Sequence, residues 1–305
     1  MKSILAIGEM LWDRFPDGPR FGGAPANFAC ACAELASPVV KVQMISAVGR
    51  DALGDEAREH LLRHGVDVSL LGRSELPTGE VEVRLDPHGV PSYRILDPAA
   101  WDDYDATPET LAAAASADVL LFGTLGQRAE KSRHAIRQLL AVAPNDAVII
   151  LDINLRPPFT SPTIVRDSLR LANVLKLNGD ELLVISEMLG IIGMEMEQLE
   201  ALRKRYSYRL IALTRGANGS VLMAADGTIS DQPGAIVPVV DTVGAGDAFT
   251  AAVAVGLIQG RELGEIHRRA EDIARFVCTQ PGATPWLPAR FREIERLSDR
   301  AQDFD

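Results

Sequence analysis

The chain has 305 residues, 47% hydrophobic and 24% charged, which is ample length for a large core in one big domain or two modest ones. Its formal net charge of -11 argues against nucleic acid or an anionic membrane as a partner, while a nucleotide substrate stays open because it needs only a local positive pocket. Three cysteines, Cys30, Cys32 and Cys278, form neither a metal spacing nor a disulfide framework, and no run resembles a signal peptide or a membrane span, so a cytoplasmic protein is expected.

Residues 4–7 predict a buried strand ended by Gly8-Glu9, because continuous apolar runs mark strands of parallel sheets. Met10 to Gly18 reads as a loop with one carboxylate, Asp13, among large apolar residues. Asp13 either grips a ligand beside the first strand or simply forms a turn. Phe21-Gly22-Gly23-Ala24-Pro25-Ala26-Asn27 opens a helix to about Ala36, with glycines that allow close backbone approach and a proline suited to the first turn. Cys30 and Cys32 lie in that helix as small packing residues. Asn27 offers a donor and an acceptor for hydroxyl recognition, or else is only part of a helix start.

Residues 39–48 predict a second strand, followed by Gly49-Arg-Asp51-Ala-Leu-Gly54 and a helix to His64. His60 and His64 have the helical spacing of metal ligands, but with no Glu or third ligand nearby they read as exposed surface residues. Residues 78–96 change character: Val81, Val83 and Leu85 alternate with charged residues, the turn Asp86-Pro-His-Gly89 follows, and an antiparallel hairpin with one apolar face is predicted.

From about residue 118 strands alternate with helices, which predicts a doubly wound, mostly parallel sheet in one α/β domain spanning 1–305, with the hairpin as an insertion. Strands are expected at 119–122, 148–152, 174–177 and 210–214, and helices near 130–142, 162–172 and 195–205. Asp152-Ile-Asn154-Leu-Arg156 follows an apolar strand with three polar residues at period-two spacing, expected on one side. Arg156 holds a substrate oxygen or a phosphate, or else merely pairs with Asp152. Thr214-Arg-Gly216-Ala-Asn-Gly219 reads on its own as a hairpin bend between 210–214 and 220–224.

The informative stretch is Asp241-Thr-Val-Gly244-Ala245-Gly246-Asp247-Ala-Phe249, which runs into the uncharged segment 250–258. A helix that is apolar all round must be buried. Its amino end, nearly bare of side chains, presents free N–H groups and the positive helix dipole to an anion. Asp247 beside that anion hole suits deprotonation of a phosphoryl acceptor. It should be ionised near neutral pH. A dinucleotide fingerprint fails, since Phe249 stands where its third glycine belongs. No P-loop motif occurs anywhere in the chain.

This nonapeptide resembles the C-terminal signature of the ribokinase-like (PfkB) carbohydrate kinases, whose second Asp is the catalytic base and whose Gly-Ala-Gly amides hold the transferring phosphoryl group. The resemblance covers almost the whole chain. Residues 47–54 are similar to the family's N-terminal signature, to which a mainly structural role is given. The resemblance implies catalysis by Asp247 with Gly244, Ala245 and Gly246, and sugar binding by Asp13, Gly22, Gly23, Asn27 and Arg156. It also implies nucleotide binding by Lys176, Asn178, Thr214, Gly216 and Gly219. Glu181, in the Asn-x-x-Glu motif, would orient Mg²⁺ through water, and Asp241 with the turn 278–283 would hold a monovalent cation such as K⁺. A lid formed by the hairpin at 78–96 and the segment 11–21 would cover the sugar, exclude water and pair two subunits as a homodimer.

Gly8-Glu9-x-Leu-x-Asp13-x-x-Pro16 and Asp152-x-Asn-Leu-Arg-Pro-Pro158 are similar to the fructokinase-like members, so ATP-dependent phosphorylation of fructose to fructose 6-phosphate is expected. The loop Gly123-Thr-Leu-Gly-Gln127-Arg128 on the expected substrate side is a candidate selector of another sugar. Ribose and 2-keto-3-deoxygluconate are the rival substrates, though kinases for the latter generally lack an Asp at the Asp13 position. A nucleoside kinase would stack its base on Trp12, Phe15 or Tyr93, and a sugar-binding regulator without chemistry is the reading from another class.

Overall fold

The computed structural model describes residues 1–15, 18–85, 91–235 and 237–292. The chain begins β1 (Lys2–Ile7), β2 (Leu11–Phe15), β3 (Gly18–Gly22), α1 (Ala24–Ala36), β4 (Val40–Gly49), α2 (Ala52–Arg63) and β5 (Leu71–Ser74). There follow β6 (Gly79–Leu85), β7 (Pro91–Ile95), α3 (Pro108–Ala114), β8 (Val119–Gly123), α4 (Glu130–Ala141), β9 (Val148–Asp152) and α5 (Pro162–Leu171). Last come β10 (Val174–Asn178), α6 (Gly179–Leu189), α7 (Glu195–Tyr206), β11 (Leu210–Thr214), β12 (Gly219–Ala224), β13 (Ile229–Pro233), α8 (Ala245–Ile258) and α9 (Leu263–Cys278).

Nine strands form one sheet in the order β13-β12-β11-β10-β9-β8-β1-β4-β5, with a layer of buried residues on each face. All neighbours pair in parallel except β12 and β13, which return antiparallel at one edge. β1, β8 and β9 carry unbroken apolar runs because both faces of the sheet are covered. α8 is buried from Ala248 to Gly256 and packs against α1 and α9, as its all-apolar sequence requires. Among the described residues no helix is long and apolar enough to cross a membrane.

A second, four-stranded sheet, β3-β2-β6-β7, holds the segments expected to form a lid. Segment 11–21 belongs to it as expected, but residues 11–15 are a strand rather than a loop: β2 pairs antiparallel with β3 and parallel with β6. The alternation of Val81 and Val83, both buried, with Glu80 and Glu82 holds in β6. The predicted turn at 86–89, like Pro16, lies outside the described residues.

The 47–54 motif ties this lid to the body. Asp51 caps α2 by accepting from Gly54 N at 2.8 Å. It also accepts from Thr78 N at 2.9 Å and Thr78 Oγ1 at 2.6 Å, one residue before β6. At the other end of the lid, Arg128 donates to Leu96 O at 2.9 Å and to Asp102 at 2.7 Å. Its guanidinium lies over Trp101 and Phe159, 4.4 and 4.7 Å from their ring centroids.

Phe249, 1% exposed among α1, α8 and α9 residues, measures how far the site depends on this packing. Phe249→Ala is expected to cost about 3–5 kcal/mol, read from the urea midpoint at unchanged m-value. A loss below ~1 kcal/mol would mean that α8 is not held by its core contacts.

Candidate active site

A cavity of about 1360 Å³ opens between the carboxyl ends of the parallel strands, the lid and the start of α8. It exceeds the roughly 300–1,000 Å³ of an ordinary small-molecule pocket and so has room for two ligands. It lies at the carboxyl ends of the strands, where ligands bind in open α/β sheets. Asp13, Gly22, Gly23, Asn27 and Arg156 line it together with Lys176, Asn178, Thr214, Gly244, Gly246 and Asp247. Residues read from six separate motifs thus line one cavity.

The start of α8 is open. Gly246 N and Asp247 N have no hydrogen-bond partner among the described residues, while Ala245 N reaches Thr242 O at 3.4 Å and so is not free. Gly244 stands at φ 81°, and a Cβ there would lie 2.7 Å from the Ala283 Cα; both the conformation and the close approach require glycine. A Cβ on Gly246 would be 3.2 Å from Lys176 Nζ, so the ammonium lies directly behind this turn.

Asp247 accepts from Asn27 Nδ2 at 2.8 Å, and the Asn27 Oδ1 is buried without a partner. The Asp247 carboxyl is raised to about 6, first by burial and then by the charge of Asp152, against the lowering effects of Lys176, Asn27 and Arg156. It remains mostly ionised at neutral pH, as predicted, although its burial outweighs any help from the helix dipole. Burial also lifts Asp13 to about 6 and Glu9 to about 7. Glu9 went unnoticed as a site residue in the sequence, yet it lines the cavity at 2% exposure with Oε2 unpartnered. Its signals were a charge directly after an apolar strand and its place in the Gly8-Glu9-x-Leu-x-Asp13 stretch.

Several expectations are revised. Lys176 lines the cavity but is largely buried and pairs with Asp152 Oδ1 at 3.1 Å. Burial opposes its charge, but Asp152, Glu181 and Asp247 prevail and its pKa is raised. Asp152, Asn154 and Arg156 do not form one row, because β9 ends at Asp152 and Asn154 turns the chain at φ 40°. The alternative Asp152–Arg156 pair is also absent; exposed Arg156 faces the cavity.

Glu181 lies off the cavity wall. Its oxygens accept from Leu155 N at 2.9 Å and Asn178 N at 2.8 Å, and Asn178 Oδ1 accepts from Glu181 N in return, a reciprocal cap for α6. Thr214 reaches the cavity, but Gly216 and Gly219 only form the bend between β11 and β12, where a Cβ on Gly219 would meet the Gln232–Gly234 backbone.

Asp241 accepts from Val243 N at 3.0 Å and Gly282 N at 3.2 Å, fastening the approach to α8 onto the 278–283 turn. Gln127 and Arg128 do not line the cavity: Gln127 is fully buried against Gly123 O and Ser168 Oγ, and Arg128 serves the lid. Trp12 donates to Leu53 O at 3.0 Å, leaving Phe15 and Tyr93 as the aromatic residues of the stacking trio at the cavity.

The family model described as pfkB family carbohydrate kinase matches residues 18–290. The chain is 32% identical over 304 residues to a fructokinase of Klebsiella pneumoniae, covering 93% of this chain and 96% of that protein. It is 28% identical over 318 residues to a putative sugar kinase of Pyrococcus horikoshii, covering 97% and 96%. Among solved structures, a Vibrio cholerae fructokinase with bound fructose, ADP and calcium is similar at TM-score 0.79 and 25% identity, covering 94% and 96%.

The charge balance at the helix start is measurable. In a ¹³C-carboxyl NMR titration Asp247 is expected to titrate near pH 6. Lys176→Met is expected to move that midpoint upward by about one unit, because the opposing cation is gone. A wild-type midpoint in the ordinary carboxylate range would contradict the burial of this group.

Proposed function

The chain belongs to the pfkB family of carbohydrate kinases, and from that membership we propose that it phosphorylates fructose at a primary hydroxyl with ATP as donor. That it is a sugar kinase follows from the family; the sugar, the donor and the residue roles are our reading. Its main support is the open amino end of α8, with two free amides and one carboxylate facing a cavity large enough for both substrates.

Asp247 takes the proton of the sugar hydroxyl as its oxygen attacks the terminal phosphorus in line, and a carboxyl near 6 is deprotonated yet basic enough at neutral pH. The amides of Gly246 and Asp247 receive the charge that develops on the transferring group. Lys176 holds Asp152 neutral in effect behind them, so the turn does not repel phosphate. Asp13, Gly22, Gly23 and Asn27 bind the sugar under the lid, and Arg156 swings from its exposed position onto a phosphate or sugar oxygen. Asn178 and Thr214 contact the nucleotide.

Mg²⁺ bound with ATP supplies neutralisation of the phosphate charge. Glu181 and Asn178 fit a water-mediated hold on such an ion, since each carboxylate oxygen keeps a second lone pair beyond its backbone partner. Asp241, already committed to two amides, would serve a monovalent cation by shaping the turn at 278–283.

Fructose is preferred over 2-keto-3-deoxygluconate because Asp13 sets a carboxylate in the cavity where an acidic substrate would be repelled. Sugar-dependent ADP release across a panel of fructose, ribose, 2-keto-3-deoxygluconate and nucleosides is expected to be highest with fructose; a different leading sugar overturns the assignment, and binding without turnover overturns the chemistry. Asp247→Asn is expected to lower kcat by about 10²–10⁴-fold with sugar binding little changed. The acid limb of kcat/KM should fall as pH drops through about 6, where Asp247 takes up its proton. Lost binding with intact turnover in the variant would contradict the role given to Asp247.

A further inference from the structure

Away from the cavity, α1 and α2 face each other with two pairs of ligating side chains, each pair one helical turn apart: Cys30 and Glu34 on α1, His60 and His64 on α2. The spacing of the histidines was visible in the sequence, but His64 is buried at 7% exposure and His60 is half-buried, not on the surface. Cys30 Sγ and one nitrogen of each imidazole lie within 4.8 Å of one another.

We propose that Cys30, His60 and His64 form a binding site for a zinc-class divalent cation. Each imidazole already has one nitrogen committed to an outer partner, His60 Nε2 to Thr284 Oγ1 at 2.9 Å and His64 Nδ1 to Glu34 Oε1 at 2.9 Å. This is how metal-ligating histidines are oriented, leaving the second nitrogen for the ion. Glu34 is itself fixed, its Oε2 accepting from Leu287 N at 2.6 Å. Cys30 Sγ has no hydrogen bond among the described residues, whereas Cys32 Sγ, two residues on, reaches Ala251 O at 4.0 Å.

One thiolate and two imidazoles suit zinc rather than Mg²⁺ or Ca²⁺, which take oxygen ligands, and water can complete a tetrahedron. The thiol gives up its proton to solvent as the metal binds. Half-exposed His60 and the Trp286 ring, 59% exposed and stacked on His64 at 4.4 Å, mark the way in. His60 also stacks on Phe21 of β3 at 4.3 Å, so a bound ion would join α1, α2 and the lid sheet.

The full-length protein, stripped with chelator and held in excess Mg²⁺ to occupy the phosphate-side carboxylates, is titrated with Co²⁺. One equivalent is expected to produce a sulfur-to-cobalt charge-transfer band that Zn²⁺ then abolishes. Cys30→Ala should lose the band, and His60→Ala should weaken binding at least ~100-fold. Glu34→Gln should keep the band at ~10–100-fold lower affinity, as expected for a partner that only orients a ligand. Should Cys30→Ala misfold by circular dichroism, Cys32→Ala/Cys278→Ala leaves Cys30 as the sole thiol, and the band must persist. No band in the wild type, a band surviving in folded Cys30→Ala, or its loss in the folded double variant overturns the site.

Discussion

A buried helix whose Gly246 and Asp247 amides have no partner among the described residues is unusual, and at α8 it is maintained by packing on three sides. The helix cannot retreat, because residues 248–256 are enclosed between α1, α9 and the sheet. Nor can the preceding loop fold back over the amides, because Asp241 pins it to the 278–283 turn and Gly244 bends it at positive φ. What remains is a fixed concentration of positive dipole at one point of the cavity. Electrostatic preorganisation of this kind acts without rearrangement at the moment of reaction.

The same point must tolerate two nearby carboxylates. Asp152 raises the cost of ionising Asp247, and the buried Lys176 between strand and helix is the counterweight. It lies close behind Gly246, where a Cβ would be 3.2 Å from the ammonium. The net effect is one carboxyl poised near 6 beside an anion-attracting turn, a combination that neither group would show in isolation.

The lid is anchored at both ends by buried polar contacts, Thr78 on Asp51 at its start and Arg128 on Leu96 and Asp102 at its close.

Much of this was legible in the chain. An uncharged helix behind a glycine-rich turn announces burial by composition alone, and the parallel strands announce themselves as apolar runs. What escaped depends on contacts distant in sequence. Residues 11–15 read as a loop because their strand partners, β3 and β6, follow an intervening proline and some sixty residues of chain respectively. Glu181 carried the right motif, but only the fold shows each of its oxygens accepting one backbone amide, from Leu155 and Asn178. The histidines on α2 lacked a third ligand only in sequence, since Cys30 comes from another helix.

The most direct trial of the central claim is a crystal structure with ADP, Mg²⁺, aluminium fluoride and fructose. The planar fluoride should be held by the N–H groups of Gly246 and Asp247, with a sugar hydroxyl within hydrogen-bond reach of the Asp247 carboxylate. A fluoride bound elsewhere in the cavity, with those two amides facing only solvent, would contradict the account.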